Sequence, residues 1–70
     1  MNDNDYVQDR LESANMTHKQ AHDMAEKLAK RLNLPFGVCK VPNVHKYWVT
    51  KYRNEYMMYY FEKGKMVELT

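Results

Sequence analysis

The chain has 70 residues, 44% hydrophobic and 29% charged, with a formal net charge of +2 and one cysteine. A chain of this length makes a single small domain over residues 1–70 with a thin stability margin, and so small a net charge names no partner. One cysteine excludes a disulfide within the chain, and the longest apolar run falls well short of the roughly 18 residues of a membrane span.

The N-terminus Met1-Asn2-Asp3-Asn4-Asp5 is acidic and lacks the basic-then-apolar layout of a secretory signal. Residues 1–15 read equally well as an acidic flexible arm or as a short helix. Tyr6, Val7, Leu11 and Ala14 fall at near-helical spacing, with Asn4 or Asp5 available as a cap.

Thr17 to Leu32 reads as an amphipathic helix. Thr17-His18-Lys19-Gln20 fits a capping box, in which Thr17 caps the first turn and Gln20 reaches back to its amide. Ala21, Met24, Ala25, Leu28, Ala29 and Leu32 form one apolar stripe at spacings of three and four. Lys27, Lys30 and Arg31 lie toward the C-terminal end, where the helix dipole favours cations. Asn33 suits the left-handed stop, and Pro35 blocks continuation. The three alanines allow this helix to approach a sheet closely.

Four strands follow. Phe36–Val41 is the first, with Gly37 permitting a bulge at its start. After the turn at Pro42-Asn43, the run from Tyr47 to Phe61 holds seven of the nine aromatic residues. Its β-branched and aromatic residues suit a pleated surface, and Arg53-Asn54-Glu55 interrupts it where a hairpin would turn. The reading is a second strand at Tyr47–Tyr52 and a third at Tyr56–Glu62. Lys63-Gly64 is a two-residue hairpin loop leading into a short closing strand at Met66–Leu69, which sets Phe61 opposite Met66, Tyr60 opposite Val67 and Met58 opposite Leu69. Alternation then puts Met57, Tyr59 and Phe61 on one face, with Met58 and Tyr60 on the other. The face of Trp48 depends on the loop between the second and third strands. The expected fold class is α+β: one amphipathic helix packed on a three- to four-stranded antiparallel meander, its strands adjacent in sequence order.

Charge is unevenly spread. Residues 1–16 carry −3, residues 17–35 carry +2 and residues 36–70 carry +3, a mildly basic body with an acidic arm. One helix covers one sheet face, which leaves rings over for the second face. Contiguous apolar surface of that kind marks a contact site on a small protein, and Tyr, Trp and Arg are the side chains that dominate interface cores. The reading is therefore a non-enzymatic binding, adaptor or inhibitor-type protein. Its interaction surface is Trp48, Tyr52, Tyr56 and Tyr60, rimmed by Lys51 and Arg53, and its partner is another protein or a second copy. The competing possibility is that residues 1–15, through Tyr6, Val7 and Leu11, close over that face.

The alternative function is nucleic-acid binding, by base stacking on these rings with Lys40, Lys46, Lys51, Arg53 and Lys63 on phosphates. The chain has no Gly-rich phosphate loop, nucleophile elbow or Ser/Cys–His motif, so no catalytic residue, cofactor or small-molecule substrate is assigned. His18 and His22, four apart on one helix face, could join Cys39 and His45 in a four-ligand zinc site. Two solvent-facing histidines and a small buried thiol are the simpler account, and no metal is assigned. The unpaired thiol suits the cytoplasm, although Cys39 could also bridge two copies. In brevity and want of cofactor motifs the chain resembles a small accessory protein of a bacteriophage or mobile element, a resemblance that rests on no motif.

Overall fold

The computed structural model describes residues 14–69. The expected N-terminal arm or short helix falls almost wholly on residues 1–13, outside the described residues. The fold is α+β: one helix, α1 (His18–Leu32), packs on a four-stranded antiparallel sheet. Its strands are β1 (Phe36–Lys40), β2 (Tyr47–Thr50), β3 (Met57–Glu62) and β4 (Lys65–Glu68). No helix among the described residues is long and apolar enough to cross a membrane.

Local chemistry sets the ends of α1. The Thr17 hydroxyl accepts from the Gln20 amide at 3.2 Å, while the Gln20 side chain accepts from the Thr17 amide at 2.9 Å, so two otherwise unpaired donors are satisfied reciprocally. Asn33 ends the helix in the left-handed region at φ 54° and ψ 42°. Only Ala21, Ala25 and Ala29 of the apolar stripe are buried, whereas Met24 and Leu32 are exposed. Contact with the sheet is thus a narrow alanine seam, flanked by larger side chains that stay in solvent.

The strand order is β2-β1-β3-β4, which departs from the meander expected from sequence order. β2 and β3 do not pair as a hairpin. Each pairs antiparallel with β1, with Val38 opposite Val49 on one side and Tyr59 on the other. The physical reason lies in the small residues of β1. Gly37 and Cys39 point to the face away from the helix, and their small size leaves room for Trp48 from β2 and Met57 from β3. A Cβ on Gly37 would fall within 2.9 Å of three Met57 side-chain atoms, so the vacancy left by glycine is what Met57 fills. Placing β1 in the centre lets two bulky strands share one slender neighbour.

Antiparallel pairing on both sides makes β2 and β3 run in the same direction, and residues 51–56 must cross from the end of one to the start of the other. Asn54 shapes this crossover. Its Nδ2 donates to the Tyr52 carbonyl at 2.9 Å, and its Oδ1 accepts from the Tyr56 amide at 2.8 Å. Its backbone carbonyl accepts from the Met57 amide at 3.2 Å, and the Tyr56 carbonyl accepts from the Lys40 amide at 3.1 Å. The Arg53-Asn54-Glu55 segment turns the chain, but as a bridge across the sheet and not as a two-strand hairpin.

The bulge also differs from expectation. It lies between Val38 and Cys39, which face Tyr59 and Met57 of β3, so Met58 is the extra residue. Alternation is interrupted there. Tyr59 and Phe61 join the helix-side core with Val38 and Tyr47, whereas Met57 joins the opposite cluster with Cys39 and Trp48. The expected grouping of Met57 with Tyr59 and Phe61 is corrected by this one inserted residue. The β3–β4 hairpin follows the sequence reading: Lys63 at φ 51° and Gly64 at φ 76° make the turn, and Phe61 faces Met66 while Tyr60 faces Val67.

Candidate interaction surface

The face away from α1 is not left bare. Cys39, Trp48 and Met57 form its buried centre, and Ala14, Val41, Tyr56, Tyr60 and Leu69 pack around them. Trp48 is 2% exposed, which removes it from the expected docking surface and makes it part of a second small core. The crossover covers it from one side: the Tyr56 and Trp48 rings lie 6.0 Å apart, tilted at 53°. The indole Nε1 is buried with no hydrogen-bond partner among the described residues, a cost of about 1–3 kcal/mol that the surrounding apolar burial must offset.

The other expected surface residues stay nearer to solvent. Tyr52 is 40% exposed, with the Lys51 ammonium 5.6 Å from its ring centre. Tyr56 and Tyr60 are half-buried, and Lys51 and Arg53 are exposed. The fold gathers three of the six into one groove. Lys51, Arg53 and Tyr60 line it together with Pro35, Gly37, Met57 and Glu62, enclosing about 210 Å³. Tyr52 and Tyr56 lie outside that lining. The groove combines an apolar floor of Met57 and Pro35, a phenol, two cations and one carboxylate on its rim. Such a lining can hold one apolar side chain by contact while the rim engages charged or polar neighbours.

Cys39 lies beneath the crossover. Its sulfur accepts from Asn54 Nδ2 at 3.5 Å, and burial pushes its thiol up to about 11 despite the opposing pull of that Asn54 bond. It is therefore a protonated, buried thiol at neutral pH. The sequence-stated zinc set is not assembled, because Cys39 belongs to this cluster and His18 and His22 turn onto the opposite face of the sheet. Among the described residues, no group of three or more His, Cys, Asp or Glu side chains is placed to hold a metal ion.

On the helix side the structure forms a polar cluster that sequence reasoning did not assemble. His18 Nε2 lies 2.7 Å from the Tyr59 hydroxyl, and His22 Nδ1 lies 2.9 Å from the same oxygen. The two histidines are thus not idle surface groups. His18 stacks on Tyr47 at 4.9 Å and 19°, while His22 sets its edge against Phe61 at 5.0 Å and 88°. Burial raises the pKa of Tyr59, with Tyr47 adding to the effect. The four-residue spacing of the histidines was visible in the chain, but their common target depends on which strand face meets α1. Asn54 was likewise missed as a structural residue, because its partners are set by the crossover.

No family model, curated protein or solved structure matches this chain.

Proposed function

We propose that the protein is a binding module without catalytic activity, which docks a protein partner or a second copy of itself on the sheet face away from α1. The observation that carries this reading is the groove that brings Tyr60, Lys51 and Arg53 together over Met57. At about 210 Å³ it is smaller than the roughly 300–1,000 Å³ of pockets that enclose small-molecule ligands. One anchoring side chain of a partner fits that scale. Tyr52, exposed beside the groove with Lys51 over its ring, extends the contact area, and the arginine rim suits an interface periphery. A buried protonated thiol is compatible with work in the cytoplasm.

The test is Tyr60→Ala and Arg53→Glu, each shown to be folded by circular dichroism. Mass by light scattering and capture of cross-linked partners should both fall short of the wild-type result. If both folded variants keep the wild-type mass and capture the wild-type set of partners, the groove is not the docking site. Nucleic acid is the second reading, favoured by two cations beside a phenol in one groove. It requires affinity that falls steeply with salt, and the absence of a mobility shift at low salt with single-stranded or duplex probes would remove it. Protein contact is preferred because stacking needs open ring faces, whereas Trp48 is buried and Tyr60 half-buried.

A further inference from the structure

The two edges of the sheet are finished differently. At the β2 edge the backbone of Met16 exchanges two hydrogen bonds with Tyr47, at 3.3 and 3.0 Å, so the chain itself covers part of that edge. At the other edge stands β4, and among the described residues no strand pairs with its outer side. The groups it offers follow from its pairing with β3. Glu62 faces Lys65 across the two-residue turn, and the Leu69 amide donates to the Met58 carbonyl at 3.1 Å. Residues 65, 67 and 69 therefore turn their backbone groups inward to β3, and by alternation Met66 and Glu68 turn their amides and carbonyls outward. Every residue of β4 is exposed, Met66 at 47% and Val67 at 37%. α1 packs on β1, β2 and β3, which leaves β4 at the margin of its cover. Neither a proline nor a bulge blunts this strand.

We propose that β4 is a homodimerisation edge: two copies pair β4 antiparallel to β4 about a two-fold axis through Val67, joining two four-stranded sheets into one of eight. Symmetry selects this register. An axis perpendicular to the sheet keeps each face on its own side, so residues that meet must share a face and the axis must pass through a residue. With Val67 on the axis, Met66 meets Glu68 of the second copy. The Met66 amide then donates to that Glu68 carbonyl, the Glu68 amide donates back, and the symmetric pair brings the joint to four hydrogen bonds. An axis through Met66 would instead set Glu68 against Gly64, where φ 76° has already ended the strand. Val67 packs on Val67 of the second copy, and the stem of Lys65 lies along its Leu69. Charge agrees with this arrangement. β4 begins at Lys65 and ends at Glu68, so antiparallel pairing brings the cationic end of each strand to the anionic end of the other, whereas parallel pairing would set like on like. A second copy is thus the occupant that the strand's own pattern complements. The joint lies off the groove, yet it orders the grooves. Tyr60 stands opposite Val67, so the two Tyr60 residues fall in one row on one face, three strand spacings or roughly 14 Å apart.

The test is sedimentation of the full chain over a concentration series, with amide exchange read by NMR. A concentration-dependent dimer is expected. In it the Met66 and Glu68 amides, which β3 does not engage, should gain protection as concentration rises, while the Val67 amide is protected throughout. Met66→Pro deletes two of the four bonds at a place where an edge strand tolerates proline, and should weaken the dimer roughly tenfold or more. Val67→Lys sets two like charges opposite each other on the axis and should weaken it as well. Val67→Cys brings two Cα atoms to about 4.5 Å, within disulfide range, so it should oxidise to a covalent dimer faster than Met66→Cys. Should Met66→Pro fail to fold, the wild-type exchange pattern and the Val67→Cys bridge read the same joint. A wild-type chain that stays monomeric at the highest NMR concentration overturns the proposal. So does a dimer retained by folded Met66→Pro and Val67→Lys; if that dimer is lost in Tyr60→Ala, it belongs to the groove, and the groove reading stands without the edge.

Discussion

Gly37 and Met57 illustrate how much one atom decides in so small a core. A methyl group at position 37 would fall within 2.9 Å of three Met57 side-chain atoms, so Met57 has to move out of its place beside Cys39 and Trp48. Gly37→Ala should therefore destabilise the domain by about 1–3 kcal/mol, the usual range for overpacking. Adding Met57→Ala should cost less than the sum of the two single changes, because the clash is then gone. Urea unfolding measures both, and a loss below about 0.5 kcal/mol for Gly37→Ala alone would mean that Met57 swings aside freely. Cys39 makes the second residue-scale prediction. Its folded pKa of about 11 lies above the ordinary 9.0, so the fold prefers the thiol to the thiolate. The stability contributed by this preference is complete below about pH 9 and lost as pH rises through about 11. Unfolding midpoints should fall across that window, and less so in Cys39→Ala. At neutral pH the native thiol should react with a disulfide reagent far more slowly than in urea, and equal rates would contradict its burial.

At the scale of elements the crossover over residues 51–56 matters most. It is a loop between parallel-running strands, held by the side-chain and backbone bonds of Asn54 and capped on the sheet by Tyr56. Asn54→Ala removes two strong hydrogen bonds and the contact with Cys39 Sγ. The expected cost is about 1–3 kcal/mol, with a faster Cys39 reaction as the crossover loosens. Unchanged thiol reactivity in the folded variant would show that the loop is held by its rings alone. The helix and the last hairpin need no such distant partner. The capping box of Thr17 and Gln20, the left-handed Asn33 and the positive φ of Lys63 and Gly64 are legible because each depends on neighbours only a few residues away. The crossover was misread as a hairpin because Arg53-Asn54-Glu55 turns the chain in either case, and local turn chemistry does not say which strand lies next.

For the whole molecule, two small cores share one sheet. The helix side buries an alanine seam against Val38, Tyr47, Tyr59 and Phe61, and the far side buries Cys39, Trp48 and Met57. A domain of this length has roughly 3–10 kcal/mol in hand at typical values per residue. Trp48→Ala should remove about 3–5 kcal/mol, a large share of that margin, so its melting temperature should fall far below that of the wild type. The half-buried Tyr60→Ala should keep a cooperative melt. A Trp48→Ala variant that melts as the wild type does would place the indole outside the structural core after all. This division also revises the six-residue surface: Trp48 belongs to the interior, Tyr60, Lys51 and Arg53 share a groove, and Tyr52 and Tyr56 sit on the crossover beside it.

Sequence alone determined the helix with both its ends, the existence of four strands, the last hairpin and its register, and the α+β class. Each of these rests on periodicity or turn chemistry within a few residues, so the energies that select them are already present in a short segment. Only the tertiary structure decided the central place of β1, the bulge that sends Met57 to the far face, the burial of Trp48 and the meeting of His18, His22 and Tyr59. Every strand here has enough β character to pair with any other. The choice among pairings therefore came from packing between distant residues, above all from the room that Gly37 and Cys39 leave for Met57 and Trp48.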